Sequence, residues 1–195
     1  MITSRTAFLA APALMGAYGL IRILDGLDGS RGPGPAWSLG HLCFLGALVL
    51  FVRGLADMRT AAGRGGLSTT ALWTGTAGAV ALGAQFVIDL VVGFLSADRG
   101  AMDELFVRIQ DVPGVLPVVY DFGPLLFFVG QLVLVCQLAQ RRILKPWAPV
   151  LVLMAATVPL AGKDLIPVGA LLLLVAFAPL YRGVAALEVK TGATA

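Results

Sequence analysis

The sequence predicts an all-α fold: a polytopic integral membrane protein, arranged as a six-helix transmembrane bundle with short loops and both termini cytoplasmic. Three observations lead there. Hydrophobic residues make up 58% of the 195 positions and charged residues only 13%, where soluble domains carry roughly 25% charged. The mean hydropathy is +0.91. The apolar residues are also gathered into long runs, and a hydrocarbon core about 30 Å thick asks for roughly 20 helical residues per crossing.

Six runs meet or approach that length: 7–24, 36–56, 69–97, 115–139, 146–162 and 165–182. Together they make one transmembrane domain over 1–195. The first begins soon after Arg5 and has small residues at Ala11, Ala13 and Ala17, which superficially matches a signal peptide. Its apolar stretch reaches Leu24, longer than an ordinary h-region, so it reads as a retained span. The last two runs are short and meet at Gly162, Lys163 and Asp164. A single helix through both would bury that charge pair in lipid, so a tight helical hairpin is expected.

Charge placement gives the orientation. With the N-terminus inside, nine basic residues (Arg5, Arg53, Arg59, Arg64, Arg141, Arg142, Lys145, Arg182 and Lys190) face the cytoplasm with only Asp57 and Glu188. That Lys/Arg bias is the positive-inside pattern. It accounts for the sequence pI of about 9.2 without any acidic partner. Nucleic acid is excluded as a partner, because no dense basic run or aromatic-interleaved stripe occurs. The Ala- and Arg-rich usage and small size favour a bacterial plasma (inner) membrane. The expected partners are the lipid bilayer, a small amphipathic ligand and a second copy of the chain.

One connection is long. The outer loop 96–114 is acidic, and Leu105, Phe106 and Ile109 within it have helical spacing. It reads either as an amphipathic helix on the membrane surface or as a cap over the helix ends. The cytoplasmic turn 61–66 is Gly-rich but lacks Walker spacing and a preceding strand, so it is no phosphate loop. Acids at alternate span ends (Asp25, Asp89, Asp164) and Gly34-Pro35 echoed by Gly123-Pro124 suggest a hairpin repeat, most of which charge bias alone would produce.

Helices in lipid gain little from apolar contact and associate through small residues. Gly75, Ala79 and Gly83, extended by Gly78, form such a ladder on the third span. That span also carries Gln85 and Asp89 four apart, hence on one face. It is therefore expected at the centre of the bundle.

Counting inward from the outer ends puts several polar groups at one depth. Asp89 lies about six residues from Leu95, roughly 9 Å along a helix. Asp121, entering from the other direction, and His41 reach similar depths, with Arg22, Lys163 and Asp164 near the rim. Pro117 and Pro124 bracket Asp121, and Pro124 deprives the Tyr120 carbonyl of its helical donor. Irregular backbone at membrane depth is tolerated where it lines a cavity or is buried in protein.

The candidate ligand-binding set is therefore Asp89, Asp121, Gln85, His41, Tyr120, Arg22, Lys163 and Asp164. In the functional reading they line an outward pocket for a small cationic or amphipathic ligand, with Phe86, Phe122, Phe127 and Phe128 against its apolar body. In the structural reading Arg22 or Lys163 neutralises each carboxylate and the cluster only sets helix register. A second function class is an integral-membrane enzyme whose paired aspartates perform acid catalysis on a prenyl-like lipid. A third is a non-catalytic partner subunit docking through the acidic loop. No cofactor is expected. With one histidine and no ligand-spaced pair, no metal is expected. Cys43 and Cys136 sit in apolar runs as small hydrophobes.

Overall fold

The computed structural model describes residues 4–27, 29 and 31–182, and every described element is helical. Lys190, Glu188 and the C-terminal end used in the orientation count lie outside the described residues. Helix α1 spans Ser4–Asp25, α2 Pro35–Ala61 and α3 Gly66–Leu95. Helix α4, Arg99–Gln110, occupies the long loop. A π-helical segment, Leu116–Asp121, runs straight into α5, Phe122–Gln140. Two shorter helices follow, α6 (Ala148–Ala161) and α7 (Ile166–Ala176), joined by the 3-10 turn Lys163–Leu165.

Four helices are long and apolar enough to cross a membrane: Arg5–Asp25, Pro35–Ala61, Gly66–Leu95 and Leu116–Gln140. Their outward faces carry large apolar side chains, such as Trp73, Val80, Val87, Val91 and Phe94 along α3. A water-soluble monomer does not expose apolar surface on that scale. At 1.5 Å per residue α6 is only about 21 Å long, and proline shapes it from within at Pro159.

The helices pack in a cyclic order. Helix α1 lies against α2 and α7, α2 against α3, α3 against α5, α5 against α6, and α6 against α7. Helix α3 is thus one member of a ring, not its hub. Its apolar window is 28% buried, the smallest share of the four long helices. The reason is that its small residues gather on one side and bulky ones cover the rest.

That small-residue side works differently from the ladder read off the spacing. A side-chain carbon on Gly78 would collide with the backbone of Phe127 and lie 2.6 Å from the Leu126 carbonyl carbon. One on Gly130 would collide with the backbone of Gly75. So Gly75, Gly78 and Gly130 let α3 and α5 meet backbone to backbone, the geometry that stabilises helix pairs in lipid. Gly83 takes no part, with only a Leu48 methyl at 4.0 Å. Gly19 similarly admits Pro167 where α1 meets α7.

The two ends of the bundle differ. Toward the α2–α3 turn the centre is filled by fully buried side chains, including Leu55, Met58, Leu134, Leu138 and Phe177. Phe51 and Phe127 meet edge to face there, 5.4 Å apart. Toward the α4 end the centre is open. Helix α4 starts with Asp98 accepting from the Ala101 amide at 2.9 Å, an N-cap. Its Met102 is fully buried and Phe106 reaches inward. It is a cap over the helix ends, with Asp103 and Glu104 left exposed.

Candidate functional site

A cavity of about 810 Å³ occupies the α4 end, with walls from all six helices of the ring and from the cap. Its floor is apolar: Met15, Phe44, Leu82, Phe86, Phe128 and Ala156. Nearer the end stand Arg22, Arg31, Trp37, His41, Gln85, Asp89, Arg99, Gln110, Tyr120 and Lys163. Gly29, Arg99, Leu160 and Lys163 in this wall are exposed, so the cavity opens to the surface.

Asp89 and His41 form the polar centre. The Trp37 carbonyl lies 2.6 Å from His41 Nδ1. A carbonyl can only accept, so Nδ1 carries a proton and donates. His41 Nε2 then faces Asp89 Oδ2 at 3.5 Å. The Tyr120 hydroxyl donates to the other oxygen, Asp89 Oδ1, at 3.5 Å. His41 is 3% exposed, and in such a buried setting these polar contacts count for more than they would in water.

Local sequence builds this centre. Trp37 and His41 are one turn apart on α2, and their rings approach to 4.2 Å. The indole Nε1 reaches across to donate to the Asp89 carbonyl at 2.9 Å. It can lie that close because residue 93, one turn beyond Asp89, is glycine: a side-chain carbon there would come within 2.7 Å of the indole. Tyr18 and Phe86 close the box around His41, with ring centroids 5.6 and 5.2 Å away. Phe44 and Phe86 stack at 4.0 Å beneath it.

Tyr120 owes its position to the π-helical turn. Proline at 124 lacks an amide hydrogen and crowds the carbonyl one turn back. Widening that turn relieves the clash, and the Phe122 amide instead bonds the Pro117 carbonyl. Such widened turns recur at functional sites.

The rim is held by charge. Arg31 donates to both oxygens of Asp164 at 2.8 Å, tying the connection after α1 to the turn before α7. Arg22 Nε stands 3.6 Å from the same carboxylate. Arg99 donates to the Arg31 carbonyl at 2.7 Å and pairs with Asp103 at 2.9 Å, fastening the cap.

Of the eight sequence candidates, the structure brings His41, Gln85, Asp89, Tyr120, Arg22 and Lys163 to one cavity. Asp164 stands behind the wall as the partner of Arg22 and Arg31. Asp121 does not line the cavity and is exposed. It follows Tyr120 directly in the chain and so points to a different side of the widened turn. Neither Arg22 nor Lys163 pairs with Asp89, whose partners are His41 and Tyr120. Of the four phenylalanines expected against a ligand, Phe86 and Phe128 line the cavity. Phe127 is packed in the core and Phe122 is exposed.

Sequence reasoning passed over Trp37, Arg31 and Arg99. For Trp37 a signal existed, its i, i+4 spacing to His41. The two arginines sit in connections where no periodicity announces a direction. Among the described residues no three His, Cys, Asp or Glu side chains gather to hold a metal ion. No protein-family model, curated protein or solved structure matches the chain.

Proposed function

We propose that this chain is a six-span bacterial plasma-membrane protein, with both termini cytoplasmic, that binds or transports a small amphipathic ligand in an outward-facing intramembrane cavity. In this reading α6 and α7 complete a membrane-embedded ring with the four longer helices, and α4 is an extracytoplasmic cap. The Lys/Arg bias toward the α2–α3 and α5–α6 connections supports that sidedness.

The observation that carries the proposal is the division of one cavity wall into an apolar floor and a polar, charged rim. Its volume of about 810 Å³ suits a small organic molecule, since ligand pockets span about 300–1,000 Å³. Ionisable residues within spans are costly, and placing them around a cavity rather than against lipid supports a binding role. The enzyme reading needs two carboxylates in the same wall, and Asp89 is there without Asp121. Binding needs only one polar anchor.

Trp37 supplies the test, because it lines the cavity while Trp73 and Trp147 are exposed. In a variant carrying Trp73→Phe and Trp147→Phe, a bromine-tailed dodecanol in phosphatidylcholine nanodiscs should quench Trp37 saturably. Filling the floor with Ala156→Phe should abolish that saturable component. Linear, non-saturating quenching in both proteins would show only partition into the surrounding lipid and would refute the proposal.

A further inference from the structure

The charges around the cavity are unequally paired. Arg22, Arg31, Arg99 and Lys163 stand in the wall with one carboxylate, that of Asp89. Asp89 is already faced by His41 and Tyr120. Arg31 and Arg99 are likewise engaged, with Asp164 at 2.8 Å and Asp103 at 2.9 Å.

The other two cations are held more loosely: Arg22 meets the Tyr18 hydroxyl and has only a 3.6 Å pairing with Asp164. Arg22 Nε is buried and has no hydrogen-bond partner. Its nearest carboxylate oxygen, 3.6 Å away, is the one Arg31 already holds at 2.8 Å. Lys163 has no ion pair or hydrogen bond among the described residues, and it sits next to Asp164 at the same rim. A buried donor without a partner costs free energy that a bound acceptor recovers, and hydrogen bonds between charged groups are the strong ones.

We propose that the ligand is an anionic amphiphile, for which dodecyl phosphate serves as the probe. Its headgroup is held between Arg22 and Lys163, and its hydrocarbon lies against Phe44, Phe86 and Phe128. This rests on the amphiphile-cavity reading above and gives it a sign. It keeps the amphipathic ligand and reverses the cationic one, which depended on two aspartates sharing the wall.

The test uses the full-length protein in phosphatidylcholine nanodiscs, with the Trp37 reporter and the neutral bromine-tailed dodecanol as probe. Dodecyl phosphate should displace the probe at about tenfold lower concentration than dodecyltrimethylammonium, the effect of one charge-assisted contact. Lys163→Gln, at an exposed position with no partner to lose, should remove most of that advantage, read within the variant as the ratio of the two displacing concentrations. Arg22→Gln should do the same. Equal displacement by the two headgroups, a preference for the ammonium, or indifference to both substitutions would overturn the anionic assignment while the cavity reading stood. Inorganic phosphate that blocks dodecyl phosphate at equal concentration would overturn it in favour of a soluble anion. Absence of saturable probe quenching from the start would instead remove the cavity reading beneath it.

Discussion

Glycine-to-alanine exchange along α3 should change stability with opposite signs at positions five residues apart. At Gly78 the new methyl would lie 2.6 Å from the Leu126 carbonyl carbon and collide with the Phe127 backbone, where ordinary contact begins at 3.4 Å. Backbone atoms of α5 cannot rotate away as a side chain can. Helix α3 must therefore withdraw by more than the ~0.8 Å that the Leu126 carbon alone requires, a gap that forfeits at least a quarter to a half of the dispersion energy of each contact it opens. The Gly75–Gly130 approach would open with it. Overpacking of this kind costs about 1–3 kcal/mol. At Gly83 the added carbon meets only a Leu48 methyl at 4.0 Å, so Gly83→Ala should keep the helix gain of about 0.5–1 kcal/mol. Unfolding of each variant in mixed dodecyl maltoside and sodium dodecyl sulfate micelles measures both. Equal stability of Gly78→Ala and Gly83→Ala would refute the backbone-to-backbone packing of α3 on α5.

The remaining predictions concern the site and its sidedness. Asp89→Asn should weaken binding of the bromine-tailed probe about tenfold by removing the carboxylate that His41 and Tyr120 face. Asp121→Asn, outside the cavity wall, should leave it unchanged; equal losses in both variants would restore a two-carboxylate site. Trp37→Phe keeps a ring over His41 but removes the donor to the Asp89 carbonyl. It should cost about 0.5–1.5 kcal/mol in stability, read by the same micelle titration, and no loss would mean that the indole bond contributes nothing. In a background with Cys43→Ala and Cys136→Ala, a membrane-impermeant maleimide should label Lys163→Cys on intact cells and spare Arg64→Cys. The opposite pattern would invert the proposed orientation.

Much of the architecture was legible because it follows from one-dimensional quantities. Run length and charge alone outlined the four long helices, and the spacing of Leu105, Phe106 and Ile109 outlined α4. Counting residues inward from helix ends set Asp89, Asp121 and His41 at one depth, and of these Asp89 and His41 meet in the cavity wall. What a depth count lacks is direction around the helix axis. Asp121 has the depth of Asp89, but the π-helical turn imposed by Pro124 changes the angle between successive side chains, and the carboxylate faces away from the cavity. The same limit hid the place of α3. Its glycines declared a close contact, but not that the contact lay on one side only, through Gly75 and Gly78 instead of Gly83. Arg31 and Arg99 could not be foreseen at all, since connections carry no repeat to read. Trp37 could have been, as the residue one turn before the single histidine.

A crystal structure of the protein grown with bromine-tailed dodecyl phosphate would bear on the whole account at once. The anomalous signal of the bromine should lie inside the ring of helices, between Phe44, Phe86 and Phe128, with the phosphate beside Arg22 and Lys163. Bromine found only on the outer belt, against Trp73, Val80 and Phe94, with the cavity holding none, would contradict it.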